Sequence, residues 1–452
     1  MIFSKITKRV FVGVIDFLIL AFSLFLSLSL RSLNIVSWSD YFNVFNPFLI
    51  IIFFSIVIFY MYGLYDKMTV KIYKELDTRI FNSQLISAII GSIIFYTTPF
   101  FYIAPKTILI IYIIISSLSI FIWRRYARVF IKSNQKMKIL LVAEGKELYE
   151  LEEELKNNKI IDTRRVESID MEKEAGLALY TKIKNIVEEK NFNLIAINMH
   201  HNHIKNNIEL FYELLLDKKD VINFADLYEE VFAKIPLKNI DAGWFFSNLY
   251  DKKNKIYDIS KRIFDVILSL LAFIVSLIFY PFVFLIIKIQ DGGSIFYISN
   301  RVGKDGKEFK LYKFRSMTDV KDIDVVSKSE ATRVTRFGNF LRKTRIDELP
   351  QLINVIKGDL SLIGPRPEFP QLVKEYSNQI AFYGIRHTIV PGLSGYAQIY
   401  QEQKEVPKFG LATDATKEKL SYDIYYLKHR SFMLDLSLII KTMKTLIGRT
   451  GI

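Results

Sequence analysis

Four apolar runs, at about 10–30, 44–64, 84–103 and 107–123, dominate the first part of the chain. Each approaches the roughly 20 residues that a helix needs to cross the hydrocarbon core of a bilayer, so the pattern predicts four transmembrane helices. The first run exceeds the roughly 7–15 apolar residues of a secretory signal, and no small-residue cleavage site follows Leu30; it is read as a retained span. Lys5, Lys8 and Arg9 precede the first run, Lys67, Lys71, Lys74 and Arg79 fall between the second and third, and Arg124, Arg125 and Arg128 follow the fourth. The other two connections are poor in Lys and Arg, which puts both ends of the bundle in the cytoplasm. Asp16, inside the first run, is costly against lipid and is expected to face other helices or the interface.

Between 137 and 248 the pattern changes to short apolar strands alternating with charged helices. Strands are predicted at 138–143, 194–198 and 221–224, with helices at 146–156 and 207–216. This alternation implies a small Rossmann-like α/β domain with a parallel sheet. Only Gly145 follows the first strand, however, and without a G-x-G-x-x-G turn the backbone cannot closely approach a pyrophosphate. A structural or regulatory module is expected rather than a dinucleotide site. His200, His201 and His203 have no Asp, Glu or Cys at metal-ligand spacing in the sequence and read as a solvated loop.

A fifth apolar run at 263–287 is long enough to span, but two features argue against a crossing. The chain beyond it is rich in Lys and Arg, and a crossing would separate it from the cytoplasmic α/β domain. Pro281 lies within the run, where a missing amide hydrogen and a clash with the preceding turn can kink a helix. Lys261, Arg262 and Asp265 cluster at its start, with the cations expected to meet phosphate headgroups and the aspartate to pair with them. A re-entrant helix is predicted.

Composition supports a membrane protein: 51% of residues are hydrophobic, against a formal net charge of +14. That charge suits anionic headgroups, phosphorylated substrates or nucleic acid equally. The absence of Cys excludes disulfides, thiolate metal sites and a thiol nucleophile. The fold class expected is a membrane protein of α plus α/β type. It comprises a four-helix transmembrane bundle (1–134), a cytoplasmic α/β domain (135–255), and a membrane-embedded, mainly α catalytic domain with a re-entrant helix (256–452).

Candidate chemistry concentrates after the fifth run. Asn300-Arg301-Val302-Gly303 precedes a 309–317 segment whose alternation fits a strand carrying Lys310 and Lys313, followed by Arg315. Arg333, Arg336, Arg342, Lys343 and Arg345 then lead into Asp347-Glu348-Leu349-Pro350-Gln351. If 339–349 is helical, the spacing brings a guanidinium beside the carboxylate pair. Asp-Glu dipeptides are common on solvated faces, so the surroundings decide. Two adjacent carboxylates can divide nucleophilic attack and metal holding between them, while guanidinium groups neutralise phosphate oxygens. Gly364-Pro365-Arg366-Pro367 is a rigid extended mount for a phosphate-gripping fork, and Pro391-Gly392-Leu393-Ser394-Gly395 follows.

In this order the Lys261-Arg262 and Asp265 cluster, the proline-broken run, Lys313-Phe314-Arg315-Ser316-Met317, Asp347-Glu348-Leu349-Pro350-Gln351 and the two glycine-proline motifs resemble the bacterial sugar transferase family, the monotopic phosphoglycosyl transferases. The likeness is very specific over 256–452. The preceding bundle and α/β domain are similar to the large branch of undecaprenyl-phosphate hexose phosphotransferases. The resemblance implies transfer of sugar-1-phosphate from a UDP-hexose to a polyprenyl phosphate, with UMP released, as a first membrane step of surface glycan synthesis. It implies Asp347 as the nucleophile that forms a covalent phosphosugar intermediate, and Glu348 with Asp347 as ligands of Mg²⁺. Arg342 and Arg366 match phosphate-binding arginines, and Lys313, Arg315 and Arg301 are further substrate-binding candidates. Membrane lipid is a partner, nucleic acid is not expected, and a homodimer is compatible with this reading. A catalytically silent scaffold for glycan assembly is the alternative.

Two positions depart from the family pattern. Arg345 replaces a small Ser and can lower the carboxylate pKa values. Gln398-Ile399-Tyr400-Gln401 replaces a Gln-Val-Asn-Gly run in a region that is a candidate for shaping the sugar pocket. Near the C-terminus, 420–428 and 434–446 read as amphipathic helices, with Tyr425, Tyr426, Phe432 and Met433 placed either at the interface or in the core. A reporter fused after Ile452 is expected in the cytoplasm. A reporter found on the far side of the membrane would eliminate the re-entrant topology.

Overall fold

Long apolar helices open the chain in the computed structural model, which describes residues 2–62, 64–65, 76–97, 106–131, 137–157, 163–173, 176–190, 192, 194–206, 220–249, 255–317, 334–401 and 412–447. Contacts group the chain into two units, 1–233 and 234–452. In the first, α1 (Ile2–Ser32), α2 (Trp38–Met61), α3 (Leu76–Thr97) and α4 (Lys106–Ile131) supply four stretches long and apolar enough to cross a membrane: Val12–Ser32, Trp38–Tyr60, Asp77–Thr97 and Thr107–Arg124. Leu20, Leu24, Phe48, Ile52, Phe59, Ile108 and Ile120 form the interior of this bundle.

The third helix starts at Leu76 rather than near 84, because its polar first turns bond to main chain instead of ending the helix. Arg79 donates to the Tyr62 carbonyl at 3.2 Å and Ser83 to the Ile80 carbonyl at 2.9 Å. Asp16 faces inward, as expected. It is fully buried, pairs with Arg124, and accepts a hydrogen bond from the Tyr65 hydroxyl at 2.6 Å. Arg124 also donates to the Leu64 carbonyl at 2.9 Å. Two cations counted from sequence as loop charges, Arg79 and Arg124, are therefore buried in the bundle. Lys67, Lys71 and Lys74 lie outside the described residues.

The α/β part of this unit runs β1 (Met137–Ala143), α5 (Lys146–Asn157), β2 (Thr163–Asp170), α6 (Gly176–Lys190), β3 (Leu194–Ile197), α7 (Asn202–Lys205), β4 (Asp220–Asn223) and α8 (Phe224–Phe232). The strands pair in parallel in the order β2-β1-β3-β4. Because strand side chains alternate, Ile139, Leu141 and Ala143 face α5 and α8, whereas Leu140 and Val142 face α6. The helix expected at 207–216 lies outside the described residues. His201 caps α7, its Nδ1 accepting from the His203 amide at 3.2 Å, and its Nε2 lies 3.4 Å from Glu144. The fold thus brings a carboxylate near the histidines that the sequence keeps apart, yet no group of three or more His, Cys, Asp or Glu suited to a metal occurs among the described residues.

The second unit begins before the boundary drawn at 255. The Ile235 amide donates to the Ser421 carbonyl at 3.2 Å, and Lys428 lies 5.0 Å from the Trp244 ring of α9 (Ala242–Leu249). The apolar run at 263–287 resolves into α10 (Lys255–Ser276) and α11 (Tyr280–Asp291), bent by 57°. The break precedes Pro281, which sits in the first turn of α11, where a missing amide hydrogen costs no helical bond. Ile263, Ile267, Leu271, Phe282, Leu285 and Ile289 leave a broad apolar surface exposed.

The charged residues at the start of this pair correct one expectation: they turn into the protein rather than out to headgroups. Arg262 donates to the Val355 and Ile356 carbonyls at 2.6 and 2.7 Å, satisfying the C-terminal end of α13 (Gln351–Lys357). Asp265 is buried and accepts from the Ser361 hydroxyl at 2.7 Å. Lys261 lies 3.7 Å from Asp265 but 2.9 Å from Asp435, which also accepts from Tyr257 and Tyr426, both at 2.7 Å. On α11, Tyr280, Val283 and Ile287 pack with Phe314 and Leu341.

The rest of the unit is an antiparallel hairpin, β5 (Phe296–Val302) with β6 (Glu308–Phe314), then α12 (Arg336–Thr344), α13, β7 (Ser361–Ile363), α14 (Pro370–Gln379), β8 (Gly392–Ser394), α15 (Tyr396–Gln401), α16 (Ala412–His429) and α17 (Phe432–Ile447). β7 and β8 pair in parallel. The expected C-terminal helices are present as α16 and α17, with Tyr426 in the core and Phe432 at the surface, edge-on to Phe264 at 4.9 Å. The side chain of Met433 is outside the described set.

Removing one partner of a buried ion pair leaves a charge without compensation. Arg124→Met is expected to lower stability by about 3–5 kcal/mol, and adding Asp16→Leu to recover most of that loss. Thermal unfolding of the full chain in detergent measures both.

Candidate active site

Around the Asp347-Glu348 pair the chain departs from a continuous helix. The expected helix over 339–349 ends at Thr344, and Arg345 takes a left-handed conformation, φ 57°. A single 3₁₀ turn, Ile346–Glu348, follows before α13. The left-handed residue redirects the chain, so both carboxylates enter a turn held by bonds from the Glu348 amide to the Arg345 carbonyl at 3.1 Å and from the Leu349 amide to the Ile346 carbonyl at 3.2 Å. At the other end of α12, the Thr335 hydroxyl caps the helix by accepting from the Gly338 amide at 2.8 Å. Gly338 is required there, since a Cβ would run into the Ser316 carbonyl.

Each neighbour reaches the pair from a different element. β6 delivers Lys313, whose ammonium lies 2.8 Å from Glu348 Oε1. Asn354 of α13 is fully buried and fastens that strand, donating to the Lys310 carbonyl at 2.7 Å and accepting from the Tyr312 amide at 3.2 Å. Arg345 and Arg366 approach the same Glu348 oxygen at 3.7 and 3.8 Å. Together Lys313, Arg336, Arg342, Arg345, Arg366, Asp347 and Glu348 line a cavity of about 630 Å³, with Val334, Thr335 and Asn339.

The two carboxyls differ in character. Burial raises the Glu348 pKa, but Lys313, Arg366 and Arg345 outweigh it and hold the group below the usual glutamate range. Asp347 is pushed up to about 6, first by burial and then by the charge of Glu348, against the opposing pull of Lys313, Arg345 and Arg342. The lowering anticipated from Arg345 thus prevails at Glu348 and is overridden at Asp347. Asp347 Oδ1 is buried with no hydrogen-bond partner among the described residues.

That free oxygen beside a second carboxylate fits a hard divalent ion such as Mg²⁺, which takes one or two carboxylates and draws its other ligands from water and phosphate. Asp347 and Glu348 are the residues that would hold it.

Of the sequence candidates, Lys313, Arg342, Arg366, Asp347 and Glu348 come together at the cavity, while Arg301 and Arg315 do not line it. Arg315 is buried against Gly293, whose missing side chain leaves room for the guanidinium. Arg301 stacks on Phe369, 3.4 Å from the ring centroid. The 398–401 stretch, a candidate for the sugar pocket, lies in α15: Tyr400 stacks on Tyr396 at 4.3 Å and accepts from Lys441 at 2.6 Å. Arg336 and Asn339 were missed as cavity residues. Their i, i+3, i+6 spacing with Arg342 on one helical face was the available signal.

Residues 256–449 match the family described as bacterial sugar transferase. The chain is 41% identical over 169 residues to a UDP-N-acetylgalactosamine-undecaprenyl-phosphate N-acetylgalactosaminephosphotransferase of Aeromonas hydrophila, covering 37% of this chain and 38% of that protein. It is 36% identical over 167 residues to a UDP-glucose:undecaprenyl-phosphate glucose-1-phosphate transferase of Xanthomonas campestris pv. campestris, covering 36% and 34%. With the uncharacterized sugar transferase EpsL of Bacillus subtilis (strain 168) it shares 37% identity over 171 residues, covering 38% of this chain and 79% of that protein. The chain therefore spans little more than a third of the length of the first two relatives.

Proposed function

The chain belongs to the bacterial sugar transferase family, and from that premise we propose that it moves a sugar-1-phosphate from a UDP-hexose to a polyprenyl phosphate such as undecaprenyl phosphate. The observation that carries this reading is the unequal carboxylate pair at an arginine-lined cavity: Glu348 is compensated by three cations, while Asp347, which also lines the cavity, has a buried oxygen with no hydrogen-bond partner among the described residues.

In this reading Asp347 attacks the β-phosphorus of the donor. A bond forms from the carboxylate oxygen to phosphorus, the bond from phosphorus to the bridging oxygen breaks, and UMP leaves with the electron pair. A phosphate oxygen of the polyprenyl acceptor then attacks the same phosphorus, freeing Asp347 and yielding a polyprenyl diphosphosugar. Arg342 and Arg366 grip the phosphates, with Arg336 lining the same wall. Lys313 holds Glu348 ionised and in place. Mg²⁺, when bound, supplies charge neutralisation at the departing diphosphate oxygen.

The α10–α11 pair is read as re-entrant. Arg262 and Asp265 on α10 hold α13 and β7, while Val283 and Ile287 on α11 hold β6 and α12, so both arms serve one domain on one side of the membrane. The exposed apolar surface of the pair then seats the cavity at the headgroup level on the cytoplasmic face of the cytoplasmic membrane.

Incubating the full chain with a panel of UDP-hexoses and undecaprenyl phosphate tests the reaction. Multiple-turnover UMP release is expected only with both the lipid phosphate and Mg²⁺ present, the donor and Mg²⁺ alone giving no more than a stoichiometric burst, and all release is expected to vanish in Asp347→Asn; turnover in that variant would remove Asp347 as nucleophile. No release from any donor would favour the scaffold alternative. A pH profile of donor cleavage, whose diphosphate diester does not titrate in this range, is expected to lose rate on acidification as the reactive Asp347 carboxylate is replaced by the neutral acid, with bound Mg²⁺ moving the loss to lower pH than in the metal-free chain. A rate that rises on acidification would contradict that assignment.

A further inference from the structure

The segment that carries Arg366 into the cavity is held by its carbonyls. Pro365 and Pro367 have no amide hydrogen, so the stretch is fixed largely by what its oxygens accept. Four consecutive carbonyls are taken: Pro365 by the Gly392 amide at 2.9 Å, Arg366 by Arg386 Nη2 at 3.1 Å, Pro367 by Arg301 Nη1 at 3.3 Å, and Glu368 by the Val302 amide at 3.0 Å. Gly364 anchors the start, its amide donating to the Ser394 carbonyl at 2.9 Å. A side chain at Gly364 would run into the 390–392 backbone.

Two of these four donors are guanidinium groups, and neither residue lines the cavity. Arg386 is 4% exposed; it lies 2.8 Å from Asp423, itself 1% exposed, and donates to the Tyr383 hydroxyl at 2.7 Å. Arg301 is fixed by its stacking on Phe369. Burying such groups beside one main-chain segment is expensive unless they organise something. What they hold is the main chain of the arginine that approaches Glu348 from β7's following loop.

We propose that Arg301 and Arg386, the latter oriented by Asp423, are positioning residues that set the reach of Arg366 into the cavity. They act through its own carbonyl and the next one, without touching substrate. Arg301, a substrate-binding candidate from sequence, thereby acquires a different job. The inference rests on the reading of Arg366 as a phosphate-gripping group.

The test is a double-mutant cycle on the full chain in detergent, read by calorimetric titration with inorganic pyrophosphate. The first variant is Arg301→Met, which keeps an apolar stem against Phe369. The second combines Arg386→Met with Asp423→Leu, so that no lone charge is left buried. Each is expected to weaken pyrophosphate binding by about 10-fold, as loss of a charge-assisted contact implies, and to add little further loss in an Arg366→Ala background. Losses that persist undiminished in that background, or unchanged pyrophosphate binding in Arg366→Ala itself, would overturn the proposal. An unmodified enzyme that binds pyrophosphate but transfers no sugar phosphate would defeat the proposed reaction alone, and the titration would still decide the positioning.

Discussion

Two adjacent carboxylates cannot both remain ionised in a buried turn unless something compensates them, and here the compensation is given to one of the two. Glu348 takes Lys313 as a close partner and Arg345 and Arg366 as more distant ones, while Asp347 keeps an oxygen without a partner among the described residues. Much of the second unit serves this asymmetry. The β5–β6 hairpin, pinned by Asn354, brings Lys313; the left-handed Arg345 ends α12 where the 3₁₀ turn must begin; and the proline segment presents Arg366. An even division of cations would leave a pair of inert ion-paired carboxylates. The observed division leaves Asp347 with a pKa near that of a working group at neutral pH.

The α10–α11 pair joins the exposed apolar surface of this unit to the cavity. Its charged residues dock inward on α13, β7 and Asp435, and its apolar residues face outward. α10 and the turn that carries the carboxylates are therefore coupled through short contacts: Arg262 caps α13, and α13 begins immediately after the Asp347 turn. In the proposed re-entrant arrangement, seating the apolar surface in lipid would fix the height of the cavity relative to the headgroup plane, where the phosphate of the proposed acceptor would lie.

Chemistry was more legible in the sequence than geometry. The four spans follow from hydrophobic run length, and the strands β1, β3 and β4 from apolar runs between charged helices. β2 has no such signal: Arg165, Glu167, Ser168 and Asp170 make it look like a loop, and among its described side chains only Val166 and Ile169 bury against the two faces. Asp347, Glu348, Lys313, Arg342 and Arg366 could be named because residue type and order carry them. The left-handed Arg345 could not, since an arginine gives no local cue for positive φ. The inward turn of Lys261 and Arg262, and the burial of Arg386 with Asp423, depend on partners about 40 to 170 residues away, which no local pattern contains.

Asp347, not Glu348, is the residue proposed to react. That assignment is tested most directly by mass spectrometry of the full chain mixed with Mg²⁺ and a panel of UDP-hexoses in the absence of lipid phosphate, quenched in acid and digested. A hexose-phosphate adduct is expected on Asp347, lost when lipid phosphate is added before the quench. An adduct on Glu348, or turnover without any adduct on the Asp347 peptide, would contradict it.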